Sequence, residues 1–129
     1  MGSSSELFYI PEELFGASEW IRSNSGPSDA LLSSAATGSM VPFLTGRYVY
    51  VGHWSETVRY FDKLLIVQRF YRGELTEDEV KELFLKNRIK YVLYTSYERA
   101  LGTRGIDRYS PLLKKEFEKE NVVVYRIIQ

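Results

Sequence analysis

Two polar segments hold the residue types from which a site could be built, and each follows an apolar run. Ser34-Ala35-Ala36-Thr37-Gly38-Ser39 leaves the run Ala30 to Ser34, and His53-Trp54-Ser55-Glu56-Thr57 leaves the run Arg47 to Gly52. Thr37, Gly38 and Ser39 precede a short apolar stretch and resemble an anion cradle, in which free N–H groups of a helix start donate to phosphate or carboxylate and a glycine allows close approach. Small residues at these positions serve tight packing equally well. The segment is neither a Walker loop nor a dinucleotide fingerprint, because no Gly-Lys-Ser/Thr follows and the three-glycine spacing is missing. His53 titrates near neutral pH and could act as acid or base with Glu56 as its orienting carboxylate. The plainer alternative makes His53 a hydrogen-bonded turn residue and gives Glu56 and Thr57 first-turn and capping roles in the next helix. Trp54 could stack on a sugar face or close the core. Tyr97, Glu98 and Arg99 follow a third apolar run, and they either join the same cluster or are solvated loop charges.

Bringing these segments together requires parallel strands. Ala30 to Ser34, Arg47 to Gly52 and Lys90 to Thr95 read as three strands, rich in apolar, aromatic and β-branched residues. A helix is expected from about Glu12 to Arg22, with Leu14, Ala17 and Ile21 on one stripe, Trp20 over a core edge, and Ser23 to Pro27 ending it. A second runs from about Glu56 to Tyr71, and its centre, Leu64 to Val67, is apolar on nearly all sides, which points to deep burial or a second copy. Thr76-Glu77-Asp78-Glu79 has the capping-box signature and opens a third helix ending near Lys86, with Asn87 as a left-handed stop. The two-residue link to Lys90 fits a crossover sheet. Ser96 to Tyr109 loses periodicity and reads as a long exposed loop. Pro111 to Glu120 is either one helix or a brief helix and a strand, the second option making Glu120-Asn121 the turn of a hairpin into Val122 to Ile127.

These elements predict one α/β domain of three layers around a mainly parallel sheet, ordered like a flavodoxin half, with an antiparallel edge strand at the C-terminus. The loops after the three parallel strands then share one rim, where open sheets of this kind place ligands. Met1 to Ser5 reads as an added start, leaving residues 6–129 as the domain.

Composition narrows the chemistry. With 17 basic and 17 acidic residues and no block of like charge, the electrostatic footprint of a nucleic-acid binder is missing. The chain has no Cys and one His, so disulfides, thiolate sites and sites of several histidines are excluded. No stretch reaches the ~20 apolar residues of a membrane span. No cofactor and no metal is expected.

Taken together, Ser34 to Pro42, Thr45-Gly46-Arg47, Tyr50 to Thr57, Lys63, Lys90 to Tyr94 and Val122 to Ile127 resemble the C-terminal soluble region of polytopic membrane proteins of the C-superfamily glycosyltransferase type, over roughly residues 8 to 128. In that family the transmembrane portion binds a polyprenyl-phosphate sugar, and the reactive carboxylate lies in an extracytoplasmic loop. Neither part is present in this sequence, so the resemblance carries no catalytic residue onto the chain. It implies an extracytoplasmic accessory domain attached to the transmembrane portion of its parent protein, helping to hold glycan acceptor or polyprenyl-phosphate sugar donor. The expected recognition rim comprises Thr37, Gly38, Ser39, His53, Trp54, Glu56, Thr57, Tyr97, Glu98 and Arg99. The alternatives are a small independent enzyme acting on a phosphorylated or glycosidic substrate through His53 and Glu56, and a module for homo-oligomerisation.

Overall fold

A computed structural model describes residues 12–52 and 57–128, and His53, Trp54 and Glu56 lie outside the described residues. In chain order the elements are α1 (Glu12–Asn24), β1 (Ala30–Leu32), α2 (Ala35–Gly38), α3 (Val41–Thr45), β2 (Tyr48–Val49), α4 (Tyr60–Tyr71), α5 (Glu77–Lys86), β3 (Ile89–Tyr94), α6 (Ser96–Leu101), a 3-10 helix (Gly105–Leu112), β4 (Leu113–Lys119) and β5 (Val122–Ile127).

The sheet order is β2-β1-β3-β5-β4. β1 pairs with β2 and β3 in parallel, which matches the first half of the expected order. β5 pairs antiparallel with both β3 and β4, so the sheet is mixed rather than mainly parallel. The tight Glu120-Asn121 turn forces that reversal, and composition decides which arm of the hairpin goes inside. Val122, Val123 and Val124 are buried, so β5 takes the interior position. β4 carries Lys114, Lys115, Glu116, Glu118 and Lys119 and a register irregularity between Lys115 and Phe117, both of which protect an edge strand from foreign pairing. The expected antiparallel C-terminal strand therefore exists, but it is not the edge.

Alternation along the strands divides the core between two faces. Leu31, Tyr91, Leu93, Val122 and Val124 face Leu14, Ala17 and Ile21 of α1 and Val41 of α3. Leu32, Val92, Tyr94 and Val123 face α4, α5 and the 3-10 helix through Val67, Phe70, Tyr71, Val80, Phe84 and Tyr109. Trp20 does cover an edge, with its ring 5.7 Å from Tyr91 and 6.1 Å from Phe117.

Three local expectations are corrected. α4 begins at Tyr60 rather than near Glu56, after Arg59 adopts the left-handed conformation with φ 56°, and the expected all-round burial of Leu64 to Val67 is not observed, since only Val67 is fully covered. The left-handed residue after α5 is Arg88, not Asn87. Ser96 to Tyr109 is not a long exposed loop but α6 and most of the 3-10 helix. Its glycines are close-approach positions, since a Cβ on Gly105 would lie 2.2 Å from the Tyr71 carbonyl oxygen.

Candidate functional site

The parallel arrangement of β1, β2 and β3 brings their C-terminal ends to one rim, and the middle of that rim is filled by the protein itself. Glu98, fully buried, extends its carboxylate from the first turn of α6 across to the start of α2. Oε2 accepts from the Ser34 N–H at 2.9 Å, the Ser34 hydroxyl at 2.7 Å and the Thr37 hydroxyl at 2.6 Å. Oε1 accepts from the Thr95 N–H at 2.6 Å and from the Thr95 hydroxyl. Five donors saturate the roughly four lone-pair sites of a carboxylate. Ser34 closes β1 and caps α2, while Thr95 closes β3 and caps α6, so one side chain ties together the ends of two adjacent strands.

Beneath this knot the Tyr71 hydroxyl reaches the Leu93 carbonyl at 2.8 Å and the Leu32 carbonyl at 3.2 Å. Burial, reinforced by the Glu98 and Tyr94 acids, pushes the Tyr71 phenol well above the usual tyrosine range. The phenol is thereby held as a neutral donor.

The anion cradle read at Thr37 is thus occupied by Glu98. Gly38 faces the other way and packs against the end of β2, where a Cβ would meet the Val51 carbonyl oxygen at 2.0 Å. Glu98 is no solvated loop charge. The signal for its capping role was present, because Thr95-Ser96-Tyr97-Glu98 repeats the capping-box spacing of Thr76 and Glu79, but that spacing does not foretell burial, since Glu79 is exposed. Neither Thr95 nor Ser34 had been singled out as a partner for it. Arg99 stacks on Tyr94, 4.5 Å from its ring centre, and donates to the Asn121 carbonyl, so it serves the hairpin side of the rim. Tyr97 is exposed on α6.

A groove of about 630 Å³ opens at the β2 side of the same rim. Gly38, Ser39 and Thr57 line it, together with Pro42, Tyr48, Tyr50 and Lys63. Thr57 is fixed by the Gly52 N–H, which donates to its hydroxyl oxygen at 3.2 Å. Arg47 also borders the groove, but its guanidinium is committed to the Ser25 hydroxyl and to the Arg22, Ser25 and Thr45 carbonyls. Lys63 has no such commitment among the described residues. Its ammonium sits 5.1 Å from the Tyr50 ring centre, within cation–π range. Burial, with a smaller effect of Asp62, raises the Tyr50 phenol, so that hydroxyl also stays protonated. The groove therefore offers one uncommitted cation, the aliphatic hydroxyls of Ser39 and Thr57 and the phenol rings of Tyr48 and Tyr50, with no carboxylate among its described lining residues. This set suits an anion attached to a polyol, and it gathers three of the ten expected residues while leaving Thr37, Tyr97, Glu98 and Arg99 elsewhere on the rim.

Among the described residues no group of acidic or histidine side chains has metal-binding geometry, and no helix is long and apolar enough to cross a membrane. No family model and no curated protein matches the sequence. The fold does match a solved structure, the C-terminal globular domain of an oligosaccharyltransferase from Archaeoglobus fulgidus. The TM-score is 0.68 at 11% identity, with 94% of this chain and 100% of that chain covered. At that identity the likeness establishes a shared mixed α/β fold.

Proposed function

We propose that this chain is a non-catalytic accessory domain of a larger membrane-embedded glycosyltransferase-like protein of the C-superfamily type. It is attached to the transmembrane portion of its parent and lies on the extracytoplasmic side. The observation that carries the reading is the end-to-end fold match to a domain of an oligosaccharyltransferase. The saturation of Glu98 supports a structural role for that carboxylate, since an acid or base in catalysis needs a free site for the proton. Extending the gene sequence upstream tests the attachment. A run of hydrophobic spans in the same reading frame is expected, and a frame that contains none overturns it.

The domain's own task is to hold part of a glycan or a sugar phosphate in the β2-side groove. Lys63 supplies the charge for phosphate, Ser39 and Thr57 supply hydroxyls, and Tyr48 offers exposed aromatic surface for a sugar. His53, Trp54 and Glu56 lie between Gly52 and Thr57 in the sequence, outside the described residues, and the groove is proposed without them. Saturation-transfer NMR with sugar phosphates and short glycans tests the reading. Transfer that disappears in Lys63→Ala is expected, and an absence of transfer from every ligand would leave the domain a structural role only.

A further inference from the structure

Two capping boxes of the same spacing use their carboxylates differently. Glu79 reaches back to the Thr76 N–H and stays exposed, and its bonds remain within its own helix start. Glu98 caps α6 in the same way through Oε1, yet it is fully buried, and Oε2 bonds wholly to another element: it accepts from the Ser34 N–H, the Ser34 hydroxyl and the Thr37 hydroxyl. Capping α6 does not require those three bonds. They fix the start of α2, a four-residue helix too short to hold its own place.

The other end of α2 forms a wall of the β2-side groove. Ser39 is its C-cap, with the N–H donating to the Ala35 carbonyl at 3.0 Å and the hydroxyl to the Ala36 carbonyl at 2.8 Å. That hydroxyl therefore sits where α2 sits, and its oxygen keeps lone pairs for a ligand. Gly38 lies against Val51 and Gly52 with no room for a side chain on either glycine, since a Cβ on Gly52 would meet the Gly38 carbonyl oxygen at 2.8 Å. Gly52 in turn donates its N–H to the Thr57 hydroxyl oxygen at 3.2 Å. Both aliphatic hydroxyls of the groove are thus placed by α2, one along the chain and one through the contact between the two glycines.

We infer that Glu98 is a positioning residue for ligand binding in this groove. Without touching the ligand it sets, through α2 and the Gly38–Gly52 contact, the spacing of the Ser39 and Thr57 hydroxyls that receive a sugar phosphate. The inference rests on the assignment of the groove to such a ligand.

Thr37→Val tests it more gently than a change at Glu98, because it removes one donor to Oε2 at nearly constant shape and leaves the Ser34 and Thr95 donors in place. Amide NMR titration with glucose 1-phosphate should show roughly fivefold weaker binding, about the worth of one hydrogen bond, and recovery in Thr37→Ser, which restores the hydroxyl. Val80→Ala is the control: it opens a cavity in α5, none of whose residues lines the groove, and should bind as the unaltered protein does. In the ligand-free protein the Gly52 and Thr57 amide resonances should shift in Thr37→Val and stay in place in Val80→Ala, a difference that general destabilisation does not produce. Unchanged binding in Thr37→Val, a loss that Thr37→Ser does not restore, or an equal loss in Val80→Ala overturns the inference and leaves the groove assignment standing. Failure of the unaltered protein to bind the sugar phosphate removes the groove assignment and this inference with it.

Discussion

Replacing Glu98 by Gln removes little volume and almost no shape, yet it should be among the most damaging single changes available to this chain. An amide has one acceptor oxygen and one donor nitrogen, and both carboxylate positions face a backbone N–H that cannot turn away: Ser34 at Oε2 and Thr95 at Oε1. Whichever way the amide is placed, its NH2 points at one of them. The hydroxyls of Ser34, Thr37 and Thr95 can rotate, but the peptide groups cannot. One buried unsatisfied donor costs about 1–3 kcal/mol, and the loss of charge from the remaining hydrogen bonds brings the total to roughly 3–4 kcal/mol. Against a total stability of about 5–15 kcal/mol, that is a large fraction. In urea denaturation the midpoint should fall by roughly 2 M. Glu98→Ala should be worse still, because it leaves every donor of the knot unpaired around a cavity. A Glu98→Gln protein within about 0.5 kcal/mol of the original would refute the reasoning, since that is the range of an ordinary surface substitution.

Other outcomes follow from the same geometry. Gly38→Ala drives a methyl group into the Val51 carbonyl, and calorimetry should show about 1–3 kcal/mol of destabilisation. Tyr71 is protonated in the fold at pH values where an unfolded tyrosine ionises, so its contribution is full below the ordinary value of 10.0 and is lost as pH rises beyond it. Urea midpoints measured up that range should fall less steeply in Tyr71→Phe. The Thr76 N–H donates to the exposed Glu79 carboxylate and lowers its titration, so the linked stability is present above the ordinary glutamate value of 4.5 and fades as pH falls through the lowered one. Carbon-13 NMR should find that lowered midpoint, and replacing the Thr76–Glu79 cap with Thr76→Pro, which removes the N–H, should return it to the ordinary range.

What the sequence revealed and what it hid divide by distance along the chain. The capping box at Thr76 is a local signature that formed as read, and of the two readings open for Pro111 to Glu120 the hairpin through Glu120-Asn121 is the one that forms, with its first strand starting at Leu113 rather than Glu116. The convergence of the loops after β1, β2 and β3 was also legible, because short connections and apolar runs imply parallel strands. Glu98 shows the opposite case. Its capping partner is three residues away and could have been recognised, but the donors that complete its shell, on Ser34, lie 64 residues away and leave no local mark. Gly38 was read as a candidate for ligand approach, while the group that approaches it is the backbone of Val51. The placement of β5 inside the sheet was within reach, since the valine run outcompetes the charged β4 for the buried position, but hairpin pairing alone does not say which arm joins β3.

Backbone amide NMR during titration with a sugar phosphate is the most direct test of ligand binding beside the rim rather than at its plugged centre. Shifts confined to Ser39, Gly52, Thr57 and Lys63, with Ser34, Thr37 and Thr95 unmoved, are the expected result. Shifts centred on Ser34 and Thr95 would mean that the ligand displaces Glu98, and would contradict the account.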